Sequence, residues 1–311
     1  MVRSELERVL AQMGEHLGLR DVHRLQDGGL LEVGGHELLL HHDAENAPHL
    51  VQARLNLGPA DPHQREWIWH RLLVSNFEWA CNGSLGWSLS PEGDLAMLTA
   101  HHPLDTQTTG AELAAWLREL LVCARAHWQA LPSRQAMADL HALAPLRRTR
   151  RPVSTQPDGW EPLIDALCDH VGIAERHALR RGEGSLRVDG MDMLLRHDPL
   201  VPGHFQVSLD LGMAPIGPRE KLWQGLLWSN FLMGAGGDVL FSVLPQREAV
   251  VMTLQQTLPV EPSAQAFCDL LHALAAHGQG VWDALRDTVS RGEAALPMAM
   301  APQAGWRFKA P

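Results

Sequence analysis

Apolar residues recur along the chain at two spacings, and each spacing predicts a type of element. Near the start they fall three or four residues apart, which predicts an amphipathic helix. The positions are Leu6, Val9, Leu10, Met13 and Leu17. Short apolar runs on either side of Gly34-Gly35 predict a β-hairpin, and a third strand follows at 49–56. A long apolar helix at 62–81, two further strands and a last helix at 111–131 complete the order α-β-β-β-α-β-β-α.

The same order recurs in the second half of the chain, and some of the residues recur with it. Both predicted central helices contain Leu-Leu-x-Ser-Asn-Phe, ending at Phe77 in one copy and Phe231 in the other. Trp223 follows Trp69 by 154 residues (223 − 69), and matches near this offset extend over about 90 residues. A period of this length is that of a whole domain. We therefore predict an α+β protein of two tandem domains, each an antiparallel sheet packed with helices.

The repeat and the composition between its copies define the predicted regions. These are repeat 1 at 1–131, a linker at 132–159, repeat 2 at 160–288 and a flexible tail at 289–311. The linker combines a short helical segment with a stretch rich in arginine and proline, which is typical of an extended, solvated connection. Trp306 and Phe308 in the tail are candidates to occupy a binding groove in place of a ligand.

Charge and composition argue against two classes of partner. With 26 Lys and Arg against 36 Asp and Glu, the formal charge is −10 at pH 7, which disfavours binding to nucleic acid or anionic membranes. Apolar runs of about 18 residues are missing, so membrane insertion is not expected. An N-terminus without an apolar core and four cysteines without a C-x-x-C motif predict a reducing, cytoplasmic location.

Histidines provide the main alternative, a His-dependent hydrolase. His36 and His41 are five residues apart, one too many for the H-E-x-x-H metal motif. A His-Asp pair at His42 recurs at His197, and such a pair could orient a general base. The favoured interpretation is a strand end followed by a turn. We expect no catalytic residue, no cofactor and no metal.

The repeated segment with the most unusual composition is the central helix. Its apolar residues fall on one face, yet further tryptophans lie off that face, so the helix is predicted to be buried on more than one side. One sheet covers one side, and the other side would meet the equivalent helix in an intramolecular pseudo-dimer. The predicted interface residues are Trp69, Leu73, Phe77, Trp223, Leu227 and Phe231. The alternative is that the extra tryptophans complete each domain's own core.

The element order and the local motifs resemble the type III secretion chaperone family, the class that includes the Tir chaperone. The motifs are Leu-Leu-His-His-Asp or Leu-Leu-Arg-His-Asp, then Leu-Asn-Leu-Gly or Leu-Asp-Leu-Gly, then Leu-Leu-x-Ser-Asn-Phe. The resemblance implies a cytoplasmic, non-catalytic chaperone that holds the extended N-terminal segment of a secreted effector. Family members are homodimers of one such domain, so this tandem chain is expected to be a monomer.

The resemblance also implies that the client binds through apolar pockets and by adding a strand to a sheet edge. The candidate client-binding residues are Leu6, Val9, Leu10, Leu85, Trp87, Leu163, Leu167, Val239 and Phe241. Packing in the core is the competing interpretation of these side chains. A regulatory or protein-interaction module of the same fold, with a folded partner, is the alternative function.

Overall fold

A computed structural model describes residues 3–19, 30–42, 50–80, 85–133, 159–197, 204–217, 219–233, 239–258 and 262–291. The chain divides into two compact units, Met1–Arg147 (unit 1) and Arg148–Pro311 (unit 2). Most of the predicted linker and tail, including Trp306 and Phe308, lies outside the described residues.

Unit 1 has the predicted order of helices and strands. Its elements are α1 (Arg3–Leu17), β1 (Leu30–Val33), β2 (His36–His41), β3 (Leu50–Pro59), α2 (Arg65–Ala80), β4 (Leu85–Ser90), β5 (Leu95–Pro103) and α3 (Gly110–Ala130). A single 3-10 turn, Pro62–Gln64, leads into α2, and the Asp61 side chain accepts a hydrogen bond from the His63 N–H at its start. This turn accounts for the predicted beginning of the central helix at residue 62.

Unit 2 repeats the order with one addition. Its elements are α4 (Trp160–Val171), α5 (His177–Arg180), β6 (Glu183–Val188), β7 (Met191–His197), β8 (His204–Met213), α6 (Glu220–Met233), β9 (Val239–Leu244), β10 (Ala249–Thr257) and α7 (Ala264–Ser290). The short helix α5 was not predicted, because four residues are too few to show a helical period. The last helix ends at Ser290, beyond the predicted start of the tail.

Each unit contains one five-stranded antiparallel sheet, which confirms the predicted α+β fold with two sheet-and-helix units. The strand orders are β1-β2-β3-β5-β4 and β6-β7-β8-β10-β9. The strands at the two edges are therefore β1 and β4 in unit 1, and β6 and β9 in unit 2. Within the described residues, no helix combines the length and the apolar character needed to cross a membrane.

The repeated Leu-Asn-Leu-Gly and Leu-Asp-Leu-Gly segments form a β-bulge at the same place in both sheets. The Gly58 N–H donates to the Asn56 side chain over 2.9 Å, and the Gly212 N–H donates to Asp210 over 2.9 Å. The register with the neighbouring strand shifts at each site. Both glycines have positive φ, 89° and 100°, a conformation that favours glycine. The motif therefore turns the chain from the sheet toward the central helix.

The core of each unit lies between one face of the sheet and the first and last helices. On β3 the buried residues Val51, Ala53, Leu55 and Leu57 alternate with polar ones, which is the pattern of a half-covered strand. The last helix contacts the sheet, and the first helix contacts the last. In unit 2 the close packing of the last helix on the sheet depends on glycine, because a Cβ at Gly278 of α7 would lie 2.4 Å from the Leu209 side chain of β8.

Candidate functional site

The asparagine of the repeated Ser-Asn-Phe segment joins each central helix to the edge of its own sheet. Asn76 on α2 donates to the Trp87 carbonyl oxygen over 2.9 Å and accepts the Trp87 N–H over 2.6 Å. Asn230 on α6 makes the same two bonds with Phe241, over 2.9 and 2.6 Å. Because Trp87 and Phe241 lie on edge strands, these bonds occupy backbone groups that would otherwise face an added strand.

The asparagines show which way the main apolar stripe of each central helix faces. Trp69, Leu73 and Asn76 lie on one helical face, and Asn76 is bonded to its own sheet. Trp69 and Leu73 are fully buried and Phe77 is half-buried. In unit 2, the equivalent residues Trp223, Leu227 and Phe231 have the same burial. The pairing of the two helices with each other stays a prediction.

The opposite face of α2 is covered within unit 1 by the end of α3. Arg71 and Trp67 both donate to the Leu131 carbonyl oxygen, over 2.8 and 3.1 Å. Arg71 also donates to the Ser133 carbonyl oxygen over 2.6 Å. The unit's own last helix therefore contributes to covering the side of α2 that faces away from the sheet.

The apolar side chains that were candidates for client binding are buried. Leu85 and Trp87 on β4, and Val239 and Phe241 on β9, are at most 9% exposed. The candidates on α1 and α4 are at most 7% exposed; they are Leu6, Val9, Leu10, Leu163 and Leu167. These side chains lie in the core, and they offer little surface to a ligand in this conformation. Any role in client binding stays a prediction.

The opposite edge of each sheet has a different character. The β6–β7 hairpin has a two-residue turn, Asp189-Gly190, with φ values of 51° and 82°. In such a hairpin the residues next to the turn are hydrogen-bonded to each other, and the bonding alternates along the strands. The backbone groups of Ser185 and Arg187 therefore point away from β7, toward the open edge. Both residues are exposed.

The same geometry applies to β1, where the turn is Gly34-Gly35 and both glycines have positive φ. The backbone groups of Leu30 and Glu32 point away from β2. Leu30 is 54% exposed and lies opposite Leu39 in the sheet. No described strand pairs with β1 on this side, so the edge of unit 1 combines outward-pointing backbone groups with an exposed apolar side chain.

Unit 1 also contains a buried polar cluster between its central and last helices. The Ser75 hydroxyl lies 2.9 Å from the His127 Nε2 and donates to the Arg71 carbonyl oxygen over 2.9 Å. The His127 ring stacks on Trp87, with centroids 5.4 Å apart. Burial, and then the Arg71 charge, lowers the pKa of His127 from 6.5 to about 4. The ring is therefore neutral at pH 7.

Unit 2 has no such cluster at the equivalent positions. An offset of 154 residues places Gly225 at the position of Arg71, Val281 at that of His127 and Leu285 at that of Leu131. A Cβ at Gly225 would lie 3.1 Å from the Leu285 side chain, so α7 passes close to α6. In unit 1, α3 ends near this point, and Arg71 donates a hydrogen bond to the carbonyl oxygen of Leu131 at its end. The two units therefore share a backbone and differ in internal chemistry.

The histidines proposed for a hydrolase lie apart from any cluster of acidic or sulfur ligands in the described part of the chain. The His197 ring stacks on Trp160 at a centroid distance of 4.9 Å and an angle of 9°. Asp43 and Asp198, the acidic members of the two His-Asp pairs, lie outside the described residues. His36 and His41 lie on opposite faces of β2. The described residues contain no group of three His, Cys, Asp or Glu that could hold a metal ion.

No family model matches this chain, and no curated protein matches it. The interpretation of the site therefore depends on its geometry.

Sequence reasoning missed the two polar residues that organise the central helix in unit 1. The signal for Asn76 was present, because an asparagine recurs in the middle of an apolar stripe in both copies. A buried polar side chain requires a partner, and here the partner is the edge strand. Arg71 gave no repeated signal, because its counterpart is Gly225.

Proposed function

We propose that the chain is a non-catalytic chaperone of the bacterial cytoplasm. It binds an extended segment of a secreted effector protein at the open sheet edges, β1 and β6, and keeps that segment ready for secretion. The observation that supports this proposal is the difference between the two edges of each sheet. One edge is occupied by Asn76 or Asn230, and the other presents backbone donors and acceptors in a row.

Strand addition explains how such an edge binds many sequences. The backbone of the client supplies hydrogen bonds at alternate residues, and its side chains supply the selectivity. An exposed leucine lies beside each open edge: Leu30 on β1 is 54% exposed, and Leu194 on β7 is 37% exposed. A client strand with an apolar residue on this face would cover the leucine.

The open edges β1 and β6 favour client residues of different charge. Glu32 on β1 and Arg187 on β6 occupy equivalent positions, one residue from the last residue of each strand. Arg187 lies 3.9 Å from Asp192, and both side chains are more than 70% exposed. Glu32 lies opposite Glu37. Unit 1 therefore favours a basic residue in the bound segment, and unit 2 accepts an acidic one.

The test begins with the tagged full chain, purified from its native cells together with the protein that it retains. Overlapping peptides from that protein are then titrated against the chain by calorimetry. The double variant Glu32→Pro and Ser185→Pro removes one outward N–H from each open edge but no bond within the hairpins. We expect peptide binding to weaken by at least about tenfold, which is about 1.4 kcal/mol.

The control is Ser185→Ala with Glu32→Ala, which keeps both N–H groups and should bind the peptide with less than about a threefold loss. Unchanged circular dichroism would show that the proline variant is folded. If the retained protein binds only as a folded domain, or if the proline variant binds the peptide normally, the proposal is wrong.

A further inference from the structure

Arg71 is a buried charged side chain whose hydrogen bonds go to backbone carbonyl groups. It is 2% exposed, and it forms no salt bridge with any residue that the structure describes. Burial lowers the pKa of the Arg71 guanidinium. The negative charge of Glu78 acts in the opposite direction, without a salt bridge. A buried cation normally has a carboxylate partner, because removal from water costs several kcal/mol, on the order of 5. The lack of a described carboxylate partner is unusual for a buried arginine.

The hydrogen bonds of Arg71 come from one end of the guanidinium. Nη1 donates to the carbonyl oxygens of Leu131 and Ser133, over 2.8 and 2.6 Å. The group also lies over the Trp67 ring, 5.3 Å from its centroid. The other two nitrogens, Nε and Nη2, are buried and have no hydrogen-bond partner among the residues that the structure describes.

These two nitrogens form a matched pair of donors. In a guanidinium, the N–H of Nε and one N–H of Nη2 are parallel and lie along the same edge. This edge is the one that binds both oxygens of a carboxylate, or two oxygens of a phosphate, in a bidentate arrangement. An unused buried donor costs about 1–3 kcal/mol, so two on one edge favour an acceptor that engages both.

The position is specific to unit 1. Gly225 occupies the equivalent site in unit 2, where the Leu285 side chain packs close to the helix. The repeat therefore does not need an arginine here to fold.

We propose that the Nε–Nη2 edge of Arg71 is a binding site for a small oxyanion, a carboxylate or a phosphate, inside unit 1. The bound anion neutralises the buried guanidinium, whose Nη1 holds the end of α3. Binding therefore couples the anion to the carbonyl groups at the end of α3. This inference does not depend on the proposed client binding.

The test is thermal unfolding of the full chain in sodium formate, sodium acetate and sodium phosphate, each against sodium chloride at equal ionic strength. We expect one of the oxyanions to raise the Tm saturably, by about 3 °C at several times its dissociation constant. Formate and acetate report a carboxylate site, whereas a response to phosphate alone reports a tetrahedral oxyanion. Equal effects of all salts, chloride included, would overturn the proposal.

Three variants separate this site from general effects of salt. Arg71→Met keeps the apolar stem without donors and should abolish the saturable rise. Arg181→Met removes an exposed arginine to which no binding role is assigned, so its response should equal that of the wild type. Arg71→Lys keeps the charge without the paired donors, and it should respond at least about tenfold more weakly if bidentate binding matters. A wild-type response in Arg71→Met would contradict the site.

The pKa of His127 tests the proposal in the wild-type protein, so this experiment does not depend on a variant that folds. The Arg71 charge contributes to the low pKa of this ring, so an anion at Arg71 should raise it. Nuclear magnetic resonance of the histidine ring protons during a pH titration, with and without the responding anion, measures this change. An unchanged His127 titration under saturating anion, or a crystal structure with only water at Nε and Nη2, would rule the proposal out.

Discussion

At the scale of single residues, one asparagine in each unit connects the central helix to the sheet. Asn76 and Asn230 are nearly fully buried, and each makes two bonds to a backbone that has no neighbouring strand on that side. A carboxamide suits this role because it donates and accepts with the spacing of a peptide group. The asparagine therefore takes the place of one residue of a sixth strand.

Asn76→Ala should lower the free energy of unfolding by about 2–4 kcal/mol, because it leaves the Trp87 N–H and carbonyl oxygen buried without partners. Asn76→Asp should be similar, since a carboxylate accepts but does not donate. Urea denaturation measures the change. Gln265→Ala, which removes an exposed side-chain bond to Asp269, is the control and should cost less than about 0.5 kcal/mol. Equal costs would show that the asparagine bonds contribute nothing special.

His127 predicts a pH dependence of stability. Its folded pKa is about 4 and its ordinary value is 6.5, so between these values the unfolded chain binds more protons than the folded one. Stability should therefore fall as the pH drops from about 7 to about 4, and this residue contributes at most about 3 kcal/mol of the loss. The groups that face the ring are Arg71 and Ser75 from α2 and Trp87 from β4.

Urea denaturation of the wild type and of His127→Gln at several pH values measures this contribution. The variant should lose less stability on acidification than the wild type does. His272→Gln, at an exposed position on α7, is the control for removing one histidine. Parallel curves for the wild type and His127→Gln would show that the ring does not titrate between the two pKa values.

At the scale of elements, glycines set how closely the helices approach. A Cβ at Gly110, the first residue of α3, would lie 2.4 Å from the Gln12 Cβ and 2.6 Å from the Met13 backbone nitrogen on α1. Backbone atoms of a packed helix cannot move away as the end of a side chain can. The first and last helices of unit 1 therefore pack in contact at this residue.

Gly110→Ala should destabilise unit 1 by about 1–3 kcal/mol, because α1 must shift away from α3. Gly280→Ala is the matched control. Gly280 also lies in a helix, and a Cβ there would meet nothing within 4 Å, so the change should stabilise by up to about 1 kcal/mol through helix propensity. Thermal unfolding distinguishes the two. A gain in Tm for both variants would show that α1 and α3 tolerate a wider spacing.

Sequence patterns were sufficient for the order of elements and insufficient for the site. The repeat, the Asp189-Gly190 turn and the alternation along β3 are local signals, and they predict the antiparallel sheets. Burial of Trp87 and Leu163 depends on which face each element turns inward, and an apolar residue looks the same in a core and in a binding groove. Arg71 could not be placed, because its partners are carbonyl groups 60 and 62 residues away.

At the scale of the whole molecule, duplication within one chain lets the two copies differ. The backbone bulge and the asparagine bonds are the same in both units. Among the described residues, a buried arginine and histidine lie between the helices of unit 1 and not of unit 2, and the open edges carry Glu32 in one unit and Arg187 in the other. A homodimer cannot vary these positions independently. Under the proposed function, the open edge of each unit can therefore have its own charge preference for a client.

The sequence predicts that the units pair within one chain, and the oligomeric state tests this. If the central helices meet inside the chain, no apolar face is left for a second copy, and light scattering should give one chain mass of 34.4 kDa. A protease site inserted near residue 150 extends the test: after cleavage, paired units should still elute together. A mass of two chains, independent of concentration, would show pairing between molecules. Separate elution after cleavage would show that the covalent connection alone holds the units together.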